Sequence, residues 1–139
     1  MGVEQKLGPN PALSRLLRSI PCQKAIFTSA HRPHAEKVLR CLGVEEYFPR
    51  IFDITFTRYI PKPNPEPYRQ ILECIGLDGA RCMMVEDLPA NLKPAKELGL
   101  TTVLVGEMEL DEGWNGCIDY RIKDILELTE VLRKLGIPP

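Results

Sequence analysis

The chain has 139 residues, enough for one domain with its own hydrophobic core. Its 18 basic and 19 acidic residues nearly cancel, so net charge gives no reason to expect nucleic acid or an anionic membrane as a partner. The apolar runs are too short to span a bilayer, and the five scattered cysteines, never spaced Cys-x-x-Cys, indicate free thiols in a reducing, cytoplasmic compartment.

Helical and strand patterns alternate along the chain. Asn-Pro pairs and glycines mark most helix starts and stops. In chain order, the pattern predicts a helix at 10–20, a strand at 25–28, a helix at 35–42, a strand at 51–56, a helix at 64–75, a strand at 82–85, a helix at 89–98, a strand at 101–105, a short strand at 119–122 and a helix at 125–135. Because the strands are apolar on both faces and separated by helices, we expect an α/β fold with a parallel sheet covered on both sides.

Polar side chains follow three of the predicted strands. Thr28 and Ser29 end the first, Lys62 lies in the loop after the second, and Glu86 and Asp87 end the third. In open parallel sheets, ligands bind beyond the carboxyl ends of the strands. Hydroxyl groups and a lysine suit the oxygens of a phosphate, and carboxylates suit a divalent cation. The placement therefore predicts a phosphate and metal site at one edge of the sheet.

Each of these residues also has a structural alternative. Thr28 and Ser29 could cap the helix that follows them, Asp87 could cap the next helix along, and Lys62 could be a solvated loop lysine. Against this, the prolines on both sides of Lys62 stiffen its presentation. Glu86 and Asp87 would repel each other without a cation or hydrogen-bond donors, which favours a functional site.

Three segments resemble the second, third and fourth motifs of the haloacid dehalogenase-type hydrolases. They are Phe27–Ala30, Lys62–Glu66 and Val85–Asp87, the last followed by Asn91. The resemblance points to the branch of pyrimidine 5'-nucleotidase-like phosphatases and covers nearly the whole chain. It implies a Rossmann-like parallel sheet flanked by helices, and a small phosphorylated metabolite or a nucleotide as substrate.

The resemblance also implies a role for each matched residue. In that family an aspartate after the first strand attacks the phosphoryl group, and a second aspartate acts as general acid and base. By analogy Thr28 and Ser29 would hold the phosphoryl group, and Lys62 would stabilise its charge. Thr28 and Lys62 are therefore the predicted catalytic residues. The predicted Mg²⁺ ligands are Asp87, Glu86 and Asn91.

The family's first motif, Asp-x-Asp-x-Thr, does not occur in these 139 residues, and the earliest aspartate, Asp53, follows the second motif. We therefore expect residues 1–139 to be a single partial core domain that lacks the central first strand and most of the cap. Such a truncated chain is expected to be inactive alone. The strands beside the gap would either pair directly or leave open edges that recruit a second copy as a homodimer.

Two other functions are considered beside a truncated phosphatase. One is a non-catalytic relative that keeps this fold as a phosphate- or protein-binding module. The other is a metal protein that uses His31 and His34, which is disfavoured because no third ligand lies nearby in the sequence. Retention of both Lys62 and Asp87 favours the phosphatase, since a pure scaffold needs neither.

Overall fold

The computed structural model describes residues 8–137 and confirms the alternation of helices with parallel strands. The helices and strands, in chain order, are α1 (Pro11–Ser19), β1 (Ala25–Phe27), α2 (Arg32–Leu42), β2 (Arg50–Phe52), α3 (Pro65–Ile75), β3 (Met83–Glu86), α4 (Pro89–Glu97), β4 (Thr101–Val105), β5 (Tyr120–Ile122) and α5 (Leu128–Lys134). Of the helices in the described residues, none is long and apolar enough to cross a bilayer. All five cysteines are free thiols.

The chain divides into two compact units. The first comprises the described residues up to Tyr59 together with those from Thr129 onward. The second is Ile60–Leu128. Each unit has its own parallel sheet and its own helices. The single partial domain expected for residues 1–139 stays a prediction.

The first unit is built on a two-stranded parallel sheet, in which β1 pairs with β2 so that Ile26 lies opposite Ile51. Helices α1 and α2 supply apolar side chains to a buried cluster. Its members are Leu17, Ala35, Leu39, Val44 and Ile51. Ala35 and Leu39 lie four residues apart and therefore share one face of α2, as the sequence pattern predicts. This packing fixes α2 and the loop that precedes it.

The second unit is built on a three-stranded parallel sheet with β4 at its centre. Thr102, Val103 and Leu104 in β4 are at most 1% exposed, which explains why this strand is nearly continuous in apolar character. On α4, Leu92 and Ala95 are both fully buried. Because the three strands are parallel, their carboxyl ends lie at the same edge of this sheet, including the end of β3.

The predicted starts of α1 and α3 and the predicted stops of α2 and α3 are confirmed. The side chains of Asn10 and Asn64 accept backbone N–H groups in the first turns of α1 and α3, at 3.0 and 2.9 Å. A proline follows each of these caps, where its missing N–H costs nothing. Gly43 and Gly76 end α2 and α3 with φ of 75° and 71°, a left-handed conformation that favours glycine.

The second strand is shorter than predicted, since it covers Arg50–Phe52 rather than 51–56. The reason is Asp53, whose carboxylate accepts the N–H of Phe56 at 2.9 Å and the N–H of Arg32 at 3.0 Å. A side chain that bonds nearby backbone donors offers the chain an alternative to the strand ladder. The residues after Phe52 therefore turn instead of extending.

The strands form two sheets rather than one. Within residues 8–137, β1 pairs with β2, and β3 pairs with β4, so β1 and β3 belong to different sheets. Of the two outcomes expected for a sheet without its central strand, direct pairing of the flanking strands is therefore wrong. In the described residues β1 and β3 are edge strands, each paired along one side only, β1 with β2 and β3 with β4. Recruitment of a second copy stays a prediction.

Asp53→Ala is expected to lower the free energy of unfolding by about 1 kcal/mol at pH 7, because Arg32 N–H at the start of α2 loses its acceptor. Burial raises the pKa of Asp53, but the N–H groups of Phe56 and Arg32 outweigh burial and hold this pKa below its usual value. The stabilisation is therefore complete above about pH 4 and is lost as the pH falls through the folded-state pKa.

Urea unfolding followed by circular dichroism at pH 7 and at low pH checks this prediction. The difference between parent and Asp53→Ala should shrink at the lower pH. An equal difference at both pH values would contradict the assigned role of the carboxylate.

Candidate functional site

A buried ion pair lies at the carboxyl end of β3. Lys62 Nζ is 2.9 Å from Glu86 Oε2, and the two side chains are only 13% and 10% exposed. Glu86 is the last residue of β3, so the ladder with β4 fixes its backbone. Lys62 lies in the loop before α3, and its peptide bond to Pro63 is cis. The fold thus holds the ammonium group of Lys62 against the carboxylate of Glu86 at the end of β3.

The pKa values of Glu86 and Asp87 are shifted in opposite directions. Burial raises the pKa of Glu86, but hydrogen bonds from the Asp87 side chain and from Lys62 outweigh burial and lower this pKa overall. The same hydrogen bond to Glu86, followed by burial, raises the pKa of Asp87. Asp87 therefore holds its proton to a higher pH than an ordinary aspartate. The repulsion expected between these neighbours is relieved by Lys62 and by the backbone N–H of Asp87, which donates to Glu86 Oε1.

Asp87 is not the cap of the helix that follows it. The N-cap position of α4 is occupied by Leu88, whose side chain has no acceptor, and the helix begins at Pro89, which has no N–H to be capped. Asp87 itself is exposed, and its backbone N–H donates to Glu86 Oε1 at 3.1 Å. The capping alternative for Asp87 is therefore wrong, and its carboxyl group lies open to solvent beside the ion pair.

Thr28 is not the cap of α2 either. Its Oγ1 accepts the N–H of Ala30 at 3.0 Å, within the loop after β1. The N-cap position of α2 is His31, and Asp53 accepts the first N–H of the helix. Sequence reasoning missed this use of Asp53. An aspartate directly after a β-branched and aromatic run is the signal that could have indicated a turn there.

A buried tyrosine connects α3 with α4. Tyr68 is 3% exposed and donates its hydroxyl to the backbone carbonyl of Asn91, itself only 9% exposed. Burial, and after it the charge of Glu86, raises the pKa of Tyr68, so the hydroxyl remains a donor. Sequence reasoning treated Tyr68 as one apolar residue of a helix face. The missed signal is that a buried tyrosine hydroxyl requires a hydrogen-bond partner.

The predicted site residues are divided between the two units. Thr28 and Ser29 belong to the first unit, in the loop after β1. Lys62, Glu86 and Asp87 belong to the second, where the structure brings them together at the end of β3.

A protein-family model described as haloacid dehalogenase-like hydrolase matches residues 9–99, more than half of the chain. The chain belongs to the haloacid dehalogenase-like hydrolases. Among relatives in this family, the pyrophosphatase PpaX of Halalkalibacterium halodurans is 32% identical over 110 residues, which cover 78% of this chain and 51% of that protein. A phosphoglycolate phosphatase of Neisseria gonorrhoeae is 33% identical over 101 residues, which cover 68% of this chain and 42% of that protein.

Solved structures of haloacid dehalogenase-like hydrolases share the α/β fold. A crystal structure of an HAD phosphatase from Thermococcus onnurineus is 28% identical with a TM-score of 0.70, and the match covers 88% of this chain and 55% of that chain. The chain thus spans about half the length of the relatives that it matches. The chain is thus similar to phosphatases of this family, and membership of the pyrimidine 5'-nucleotidase branch stays a prediction.

The resemblance to haloacid dehalogenase-like hydrolases implies a magnesium ion on Asp87, supported by Glu86 and Asn91. Mg²⁺ requires near-octahedral oxygen ligation, which it usually completes with water and substrate phosphate beside one or two carboxylates. In the described part of the chain, no three His, Cys, Asp or Glu side chains form a group that could hold a metal. Glu86 is bound to Lys62, which leaves Asp87 as the exposed carboxylate. The magnesium ligands Asp87, Glu86 and Asn91 therefore stay a prediction.

Proposed function

We propose that this chain contributes the phosphoryl-binding residues of a haloacid dehalogenase-type phosphatase related to the pyrimidine 5'-nucleotidases. Its substrate is a small phosphorylated metabolite or a nucleotide. The observation that carries the proposal is the buried Lys62–Glu86 pair beside the exposed Asp87, at the carboxyl end of a parallel strand. Ligands bind at this end of parallel strands in α/β folds.

Lys62 supplies positive charge for the phosphoryl oxygens. A lysine side chain has many conformations in water, and ordering it costs conformational entropy. Glu86 has already bound the ammonium group at 2.9 Å in the folded protein, so little of that entropy remains to be lost when phosphate binds. Lysine is a common point-charge ligand for phosphate. The ion pair therefore supports a role for Lys62 in binding rather than as a solvated loop residue.

Thr28 and Ser29 supply hydroxyl donors. Thr28 Oγ1 accepts the N–H of Ala30 at 3.0 Å, which fixes the position of the oxygen. A hydroxyl that accepts one hydrogen bond can still donate its own hydrogen, and a phosphoryl oxygen is a charged acceptor for it. The geometry within this loop supports Thr28 as a pre-oriented donor.

Phosphate binding tests the proposal. In isothermal titration of the 139-residue chain with inorganic phosphate, Thr28→Val should weaken binding by at least about tenfold, because a hydrogen bond to a charged group contributes about 1.5–3 kcal/mol. Thr28→Ser keeps the hydroxyl and is the matched control, with a dissociation constant within about twofold of the parent. Equal phosphate affinity in the parent and Thr28→Val would overturn the proposal.

An assay of phosphate hydrolysis distinguishes a chain that only binds phosphate from a complete phosphatase. The chain lacks the Asp-x-Asp-x-Thr motif that supplies the family's nucleophile, so we expect no release of phosphate from 4-nitrophenyl phosphate in the presence of MgCl₂. Hydrolysis by the parent chain that disappears in Asp87→Asn would overturn this expectation.

A further inference from the structure

An exposed aromatic pair lies beside the loop that carries Thr28. The side chain of Tyr59 is 65% exposed, and its ring meets the ring of His31 edge-on, with centroids 6.0 Å apart and planes inclined by 65°. His31 is also exposed and follows Thr28 by three residues. We call His31 and Tyr59 the aromatic platform.

Backbone hydrogen bonds fix the platform relative to Thr28. The N–H of Thr28 donates to the carbonyl of Phe52 at 3.0 Å, and the N–H of Ile54 donates to the carbonyl of Ala30 at 3.1 Å. The N–H of Tyr59 in turn donates to the carbonyl of Ile54 at 2.7 Å. Backbone hydrogen bonds therefore connect the segments that carry Thr28 and Tyr59. The backbone of Tyr59 is thereby held relative to the loop of Thr28.

The backbone at the platform is unusual for residues with side chains. Arg58 and Tyr59 have φ of 55° and 64°, in the left-handed region that glycine adopts without steric cost. The bond from Tyr59 N–H to Ile54 closes the turn in the way that glycine commonly closes a helical turn. Glycine would therefore serve the backbone better, and a ring that is 65% exposed contributes little burial. Neither packing nor turn geometry accounts for tyrosine at this position.

We propose that the aromatic platform binds the planar aromatic part of a phosphate monoester whose phosphoryl group is held by Thr28 and Ser29. The inference rests on the proposed function and specifies its substrate class. An aromatic ligand can stack on the face of Tyr59 and contact His31, as aromatic pairs do at centroid separations of about 4.5–7 Å. The three residues from Thr28 to His31 span at most about 10 Å, a distance that an aryl or nucleoside phosphate can bridge.

The test compares two phosphate monoesters, one aromatic and one aliphatic. We expect phenyl phosphate to bind the parent chain about fivefold more tightly than glycerol 3-phosphate. This ratio should fall to about one in Tyr59→Gly and stay near five in Tyr59→Phe, which keeps the ring. Of the two monoesters, only phenyl phosphate should shift the NMR signals of the His31 ring, because only phenyl phosphate has an aromatic ring current. Tyr59→Gly should melt at the same or a higher temperature than the parent, because glycine relieves the left-handed backbone.

The outcomes separate this inference from the proposed function. A ratio near one in the parent, or a ratio of five that survives in Tyr59→Gly, overturns the platform. If inorganic phosphate nevertheless binds and Thr28→Val weakens it, the proposed function stands without an aromatic substrate. If neither monoester nor inorganic phosphate binds the parent, both the platform and the proposed function are overturned.

Discussion

Lys62→Met is expected to lower the free energy of unfolding by about 3 kcal/mol, because it leaves the Glu86 carboxylate buried without its cation. Methionine keeps most of the volume of the lysine side chain, so the loss reports charge rather than packing. Adding Glu86→Gln to Lys62→Met should restore a large part of the stability, since replacing both members of a buried pair is often nearly neutral. Urea unfolding of the parent, the single variant and the double variant gives these differences.

The chain offers a matched control in a second lysine pair. Lys96 Nζ lies 2.6 Å from Asp119 Oδ1, closer than the atoms of the buried pair, but these side chains are 41% and 27% exposed. Exposed ion pairs contribute about 0–1 kcal/mol, so Lys96→Met should cost less than about 1 kcal/mol. Equal losses in Lys62→Met and Lys96→Met would show that burial does not determine the strength of the Lys62–Glu86 pair.

Gly79→Ala is expected to lower the free energy of unfolding by about 3 kcal/mol. Gly79 begins the short 3-10 helix Gly79–Arg81 before β3, and a Cβ added there would overlap the backbone carbonyl of Leu98. It would also lie 3.1 Å from the Leu100 side chain. A backbone carbonyl cannot rotate away as a flexible side chain can, so the segments before β3 and after α4 must separate.

Gly116→Ala is the control for this substitution. Gly116 also lies in a 3-10 helix, Glu112–Cys117, and a Cβ added there meets no atom within 4 Å. Its effect should stay within about 0.5 kcal/mol, as for most surface substitutions. Thermal unfolding followed by circular dichroism compares the two variants. A melting temperature of Gly79→Ala close to that of Gly116→Ala would contradict the prediction. It would mean that the backbone at Leu98 moves away from the added methyl group at little cost in stability.

Local signals were sufficient for most helices and strands. Asn10 and Asn64 cap their helices as predicted because a capping side chain needs only the backbone three or fewer residues away. The prediction was wrong for the end of β2, where Asp53 accepts the N–H of Phe56 in a local turn that the sequence could have indicated. Asp53 also accepts the N–H of Arg32, which is 21 positions distant. A partner that far away in the sequence cannot be read from a window of neighbouring residues. Gly79 illustrates the same limit, since only the folded chain brings the Leu98 carbonyl against it.

For the candidate site, the sequence by itself determined that Lys62, Glu86 and Asp87 follow strands of a parallel α/β fold, since strand pattern and chain order are local properties. Only the tertiary structure decided that Lys62 pairs with Glu86 and leaves Asp87 exposed. Successive side chains of a strand point to opposite faces, and which face meets a given loop depends on how the strand is packed. Tertiary structure within the first unit likewise brought Tyr59 and His31 together, although they lie 28 positions apart in the sequence.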